Sequence, residues 1–109
     1  MKVMEKIDAI LTKRFEELQK QGLKGFTKIP NRVIVDSKLT PRNLRVYLVL
    51  LMHLFNKKTC FPSYSTIAKE VGLKKRQSVM LHIRKLIELG YLKKEVRFGK
   101  TNIYTPIIK

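Results

Sequence analysis

Between residues 2 and 21 the apolar positions Val3, Met4, Ile7, Ile10, Leu11, Phe15 and Leu18 recur at intervals of three and four, which predicts an amphipathic helix. Gly22 and Gly25 end it. Met4, Ile7, Leu11 and Leu18 also fit a heptad seam, with Arg14 in the slot between 11 and 18. The stripe predicts either a dimerisation surface of Met4, Ile7, Leu11, Phe15 and Leu18 or a helix docked on its own domain. The pattern changes from Phe26 to Asp36. Pro30 disfavours helix there, and the β-branched run Val33-Ile34-Val35 predicts a short strand around 32–35, beside a C-terminal hairpin.

Thr40 and Pro41 then mark a helix start, as N-cap and first helical residue, with the helix expected to reach about Asn56. From Val46 to Phe55 only His53 is polar, so this helix needs cover on more than one side. A small tri-helical core supplies one side; the N-terminal helix, a partner subunit or both are expected on the other. Ser63 or Ser65 caps a helix to about Val71, with Ile67, Ala68 and Val71 inward and Gly72 as its stop. Ala68 and Gly72 suit a close helix crossing followed by a turn at positive φ. A further helix from about Lys75 to Leu89 turns Val79, Ile83, Leu86 and Ile87 inward and shows Arg76, Gln77, Ser78, Leu81, Arg84 and Lys85 outward. After Gly90, a strand from Tyr91 to about Phe98, a Gly99-Lys100 turn and a return strand from Thr101 to Ile108 complete the chain. The expected fold class is α+β and mostly helical: a winged helix-turn-helix with a tri-helical core, a C-terminal β-hairpin wing and an extra N-terminal amphipathic helix. The expected division is residues 1–22 for the N-terminal helix and 26–109 for the winged domain.

Charge adds a partner. The 109 residues carry 24 Lys and Arg against 8 Asp and Glu, a formal net charge of +16, which calls for a polyanion. Residues 1–22 are nearly balanced, with five basic and four acidic groups, whereas 23–71 and 72–100 each hold nine basic and two acidic groups. Protein contact suits the first segment and phosphate contact the rest. Cys60 has no disulfide partner, and neither it nor His53 and His82 belongs to a metal-binding pattern; Cys60 is expected to be a reduced, half-buried thiol and both histidines structural. No nucleophile–base pair or glycine-rich phosphate loop appears, so neither enzyme activity nor a cofactor or small-molecule ligand is expected. The longest apolar run, residues 46–52, is too short to span a bilayer, and no signal-peptide pattern appears. A cytoplasmic protein without membrane association is expected.

A helix beside a basic hairpin fits duplex DNA, the helix in the major groove and the hairpin on adjoining backbone or minor groove. Arg76, Gln77 and Ser78 at the start of the outward helix have the hydrogen-bonding chemistry for base edges, and Leu81 for a thymine methyl. Lys93, Lys94, Arg97 and Lys100 line the hairpin, as phosphate ligands or as the charged guard of an exposed edge. Lys74, Lys75 and Lys85 add phosphate contacts around the helix.

The segments FTKIP, KLTPRNLRVYLVLL, CFPSYSTIAKEVG, VMLHIRKLIELGYL and NIYTP together resemble the winged helix-turn-helix domains of plasmid and phage replication initiators, replisome organisers and related small regulators, over about residues 26–106. The FPSYSTIAK segment and the ELGYL end of the last helix are the most specific parts. The resemblance implies double-stranded DNA binding, with base contacts from Arg76, Gln77, Ser78, Leu81 and Arg84. It also implies backbone contacts from Ser63, Tyr64, Ser65 and Thr66, and from Arg97 and Lys100 in the wing. Two features depart from the family pattern. The Gly72–Val79 spacing is one residue longer, with Lys74 or Lys75 where a capping Ser or Thr is usual, so the helix is expected to start later or enter at another angle. Initiators also continue into a further domain, so the chain is expected to be a stand-alone binder or a fragment. The expected role is sequence-specific binding by a homodimer, as a transcriptional regulator or an origin- or centromere-binding protein. The rivals are a non-specific architectural binder and a protein-interaction module supported by Met80 and Leu81.

Overall fold

The computed structural model describes residues 9–14, 16–17 and 25–108. Residues 9–14 and 16–17 are helical and exposed, and form α1. Of the predicted dimerisation stripe, Leu11 stands exposed on α1, while Met4, Ile7, Phe15 and Leu18 lie outside the described residues. The chain continues through α2 (Asn31–Val35), α3 (Pro41–Met52), α4 (Tyr64–Val71), α5 (Arg76–Glu88), β1 (Leu92–Glu95) and β2 (Ile103–Pro106).

The strand expected around 32–35 is instead the short helix α2. Pro30 sits at its N-cap in an extended conformation, and the Val33 amide donates to the Pro30 carbonyl at 3.1 Å. This conformation buries Val33 in the core and leaves Ile34 and Val35 outside. The outer edge of β2, one of the two that a strand there could have joined, is already occupied. Cys60 bridges Tyr104 of β2 through two backbone hydrogen bonds, 2.9 Å and 2.7 Å long.

Thr40 caps α3 as its sequence predicts, its hydroxyl accepting from the Asn43 amide. The helix stops at Met52, short of Asn56. Leu54 turns back into the core, and Phe55 and Asn56 take positive φ (46° and 67°), reversing the chain toward Cys60. Val46, Tyr47, Val49, Leu50 and Leu51 are all buried. Their cover comes from within the domain: α4 and α5 on one side, β2 and the Leu54–Cys60 segment on the other. The Tyr47 hydroxyl donates to the Ile107 carbonyl at 2.9 Å, and the Cys60 thiol to the Leu50 carbonyl. These side chains are thus buried without a partner subunit, while most of the N-terminal helix lies outside the described residues.

Helix α4 begins at an N-cap, Ser63, whose Oγ accepts from the Thr66 amide at 3.1 Å. It ends at Gly72, which adopts φ 84°, a left-handed conformation that an L side chain resists. There the Gly72 and Leu73 amides both donate to the Ala68 carbonyl, so the chain turns within the four residues 72–75 and α5 packs on α4. Val79, Ile83 and Leu86 point inward, but Ile87 is 37% exposed, contrary to its expected core position. Strands β1 and β2 pair antiparallel with Leu92 opposite Pro106 and Glu95 opposite Ile103. They are shorter than the sequence suggests, leaving residues 96–102 as the wing loop.

Candidate nucleic-acid interface

Lys75 provides the N-cap of α5 without a side-chain hydrogen bond, and the helix begins at Arg76. From there two stripes run along opposite sides of α5. Val79, Ile83 and Leu86, at i, i+4 and i+7, are buried. Gln77, Leu81 and Arg84 have the same spacing half a turn away and are exposed. An amide, an apolar side chain at 60% exposure and a guanidinium therefore form one outward row. The other predicted base-contact residues flank it. Ser78 is half-buried on one side. Arg76 lies on the other, at the rim of an open cleft.

That cleft, of about 550 Å³, lies between the N-terminus of α4, the first residue of α5 and the wing, lined by Ser63, Tyr64, Arg76, Gly99, Lys100, Asn102 and Tyr104 among others. Asn102 braces it, its Nδ2 donating to the Tyr64 hydroxyl at 3.0 Å and the Tyr104 hydroxyl at 3.3 Å. Of the four predicted backbone-contact residues on α4, Ser63 is engaged in capping and Tyr64 in this brace, with Ser65 and Thr66 exposed. Lys74, Lys75 and Lys85 are exposed in the turn and along α5.

The four wing cations do not share one face. Lys94 is opposite Tyr104 and Lys93 opposite Thr105, so the two lysines leave opposite faces of the ribbon. Lys94 shares the face of Tyr104, a cleft residue, and Lys93 lies on the reverse. Lys100 is exposed at the cleft rim. Arg97 is half-buried, its Nε donating to the Thr101 carbonyl at 2.9 Å and its guanidinium 5.6 Å from the centre of the Phe61 ring. Its geometry is that of a strut for the wing loop.

On the opposite flank the sequence reasoning missed Arg42. The Thr40 cap and Pro41 fix Arg42 in the exposed first turn of α3. Asn43, which is buried, accepts a hydrogen bond from His82 Nδ1 of α5 and so ties the two helices together. Burial, and then the charge of Arg42, hold the His82 imidazole below its ordinary pKa, so Arg42 stands near the Ser78–His82 side of α5. The Thr40-Pro41 start was the signal that could have placed it. Phe98 at the wing tip was missed for a different reason: its neighbours mark a turn, and turn chemistry says nothing of an aromatic there. His53 does have a carboxylate partner, its Nε2 lying 2.7 Å from Oε1 of Glu70 on α4, in a structural role at the far end of α3. Among the described residues no helix is long and apolar enough to cross a membrane, and no cluster of three metal-ligating side chains occurs.

Residues 37–92 match a family model described as a helix-turn-helix domain. Among solved structures, one described as "N-Terminal domain of DNA binding protein" superposes with a TM-score of 0.58 at 18% identity, over 84% of this chain and 83% of that one. Another, described as "Structure of Rep-DNA complex", gives a TM-score of 0.59 at 19% identity, over 84% of each chain. At these identities the likeness is one of fold. No curated protein matches the sequence.

Proposed function

The chain belongs to the helix-turn-helix domain family, and on that premise we propose that it binds double-stranded DNA, with α5 in the major groove and the wing on the neighbouring backbone or minor groove. The observation that carries the reading is the outward row Gln77–Leu81–Arg84 beside the cleft that α5 shares with the wing. Gln pairs with adenine, Arg with guanine and Leu with a thymine methyl, so the row has the chemistry to select sequence. Arg76 and Lys100 at the cleft, Lys94 on the ribbon face of Tyr104 and exposed Arg42 in α3 set position through phosphates. The similar structures described as a DNA-binding domain and a Rep–DNA complex support the same direction. The protein works by binding, in the cytoplasm and without a cofactor. It acts as a homodimer, at an origin, centromere or operator of a plasmid or virus.

Selection from a random duplex library at physiological salt tests this reading. The expected result is an enriched inverted repeat with half-sites about one helical turn apart. Tight, salt-sensitive retention without enrichment would replace selective readout by architectural binding. No retention would overturn DNA binding and favour a protein partner.

A further inference from the structure

Phe98 has no place in the economy of the fold. At 106% relative exposure it touches no core, and the turn it occupies depends on Gly99, whose φ is 72°. The loop that carries it is nevertheless braced. Arg97 Nε donates to the Thr101 carbonyl, the Arg97 guanidinium lies over Phe61, and Thr101 Oγ1 donates to the Phe61 carbonyl at 2.8 Å. A rigid aromatic with two rotatable bonds therefore projects from a fixed base. Gly99 and Lys100 of the same loop border, with Arg76, the cleft between the wing and the start of α5, so the loop that carries the ring is flanked by cations. Apolar side chains set among cations match a groove with phosphate walls and stacked bases, where such residues enter a base step and kink the duplex. An apolar pocket on another protein would also have to neutralise those cations.

We propose that Phe98 is a wedge that enters the minor groove next to the site of α5 and unstacks one base step, so that the protein bends the DNA it binds. The inference rests on the duplex-DNA reading above and adds to it a contact of different chemistry from the phosphate and base-edge contacts.

The test uses the full chain and the variants Phe98→Ala and Phe98→Leu. The probes are duplexes with 2-aminopurine at successive steps across the site recovered by selection, or across a fixed A·T-rich sequence where none is enriched. Wild-type protein is expected to raise fluorescence at one step beside the α5 footprint and to shorten the end-to-end distance of a doubly labelled duplex. Phe98→Ala should lose both signals and bind roughly tenfold more weakly while keeping its salt dependence, and Phe98→Leu should keep part of each. Retention by wild type without unstacking, or unstacking that persists in Phe98→Ala, overturns the wedge and leaves DNA binding standing. Failure of wild type to retain any duplex overturns both, and assigns Phe98 to a protein pocket instead.

Discussion

Cys60 is a thiol whose surroundings decide its chemistry. It is 3% exposed between α3 and β2, and burial pushes its pKa up to about 11. At pH 8 that leaves roughly one thiol in a thousand ionised, and only the thiolate is an effective nucleophile. Exposure is as limiting, because the same packing that raises the pKa excludes a reagent. Native protein is therefore expected to resist a disulfide reagent at pH 8 while protein in guanidinium reacts completely, with labelling tracking unfolding at intermediate denaturant. Prompt labelling of the native state would mean that the Leu54–Cys60 segment opens on its own. The sequence signals a reduced thiol through its solitary cysteine, but not the depth of burial. That depth follows from the Cys60–Tyr104 bridge, a long-range pairing without local pattern.

At the scale of elements, helix starts and stops were legible where a single residue enforces them. Thr40-Pro41, Ser63 and Gly72 each act through local backbone chemistry; Thr40-Pro41 and Gly72 stand where the sequence places them, and Ser63 is the one of its two candidate caps, with Ser65, that the structure uses. The segment 31–35 misled because β-propensity reflects packing on a sheet, and here a short helix buries Val33 instead. The site divides the same way: helical spacing gives the outward row of α5 and the strand period separates Lys93 from Lys94, whereas the register that sets Lys94 on the face of Tyr104 awaited the structure. On the DNA-binding reading these placements imply separable functions for α5 and the wing. The double variant Gln77→Ala/Arg84→Ala should lose sequence preference with a small change in salt dependence. Lys94→Ala/Lys100→Ala should keep the preference and lower the magnitude of the salt slope by about 2. Lys93→Ala, on the reverse face, should change neither. Competitive binding with matched and scrambled duplexes across a salt series measures all three; an effect of Lys93 equal to that of Lys94 would show that the ribbon lies differently on its ligand.

The whole molecule combines a core that closes on itself with a charge of +16. Because α3 is covered from within, a protomer is expected to fold without a partner, and association should be governed by surfaces outside the core. Ile10 and Leu11 of α1, at 67% and 61% exposure, are such a surface, in the segment where acidic and basic groups nearly balance and like-charge repulsion is least. The rest of the chain carries the excess cations, so binding to a duplex should be driven by counterion release, with about six phosphates neutralised and a log K against log salt slope of roughly −5. On the homodimer reading the two properties are linked through α1. Replacing Ile10 and Leu11 together by Glu should convert a dimer into a monomer in light scattering, leave the thermal midpoint nearly unchanged because no core residue is altered, and weaken binding to a paired site far more than to a single half-site. A monomeric wild type would remove α1 from the account of binding. A variant that stays dimeric would move the interface elsewhere, and a salt slope much shallower than −5 would mean that phosphate contact does not dominate.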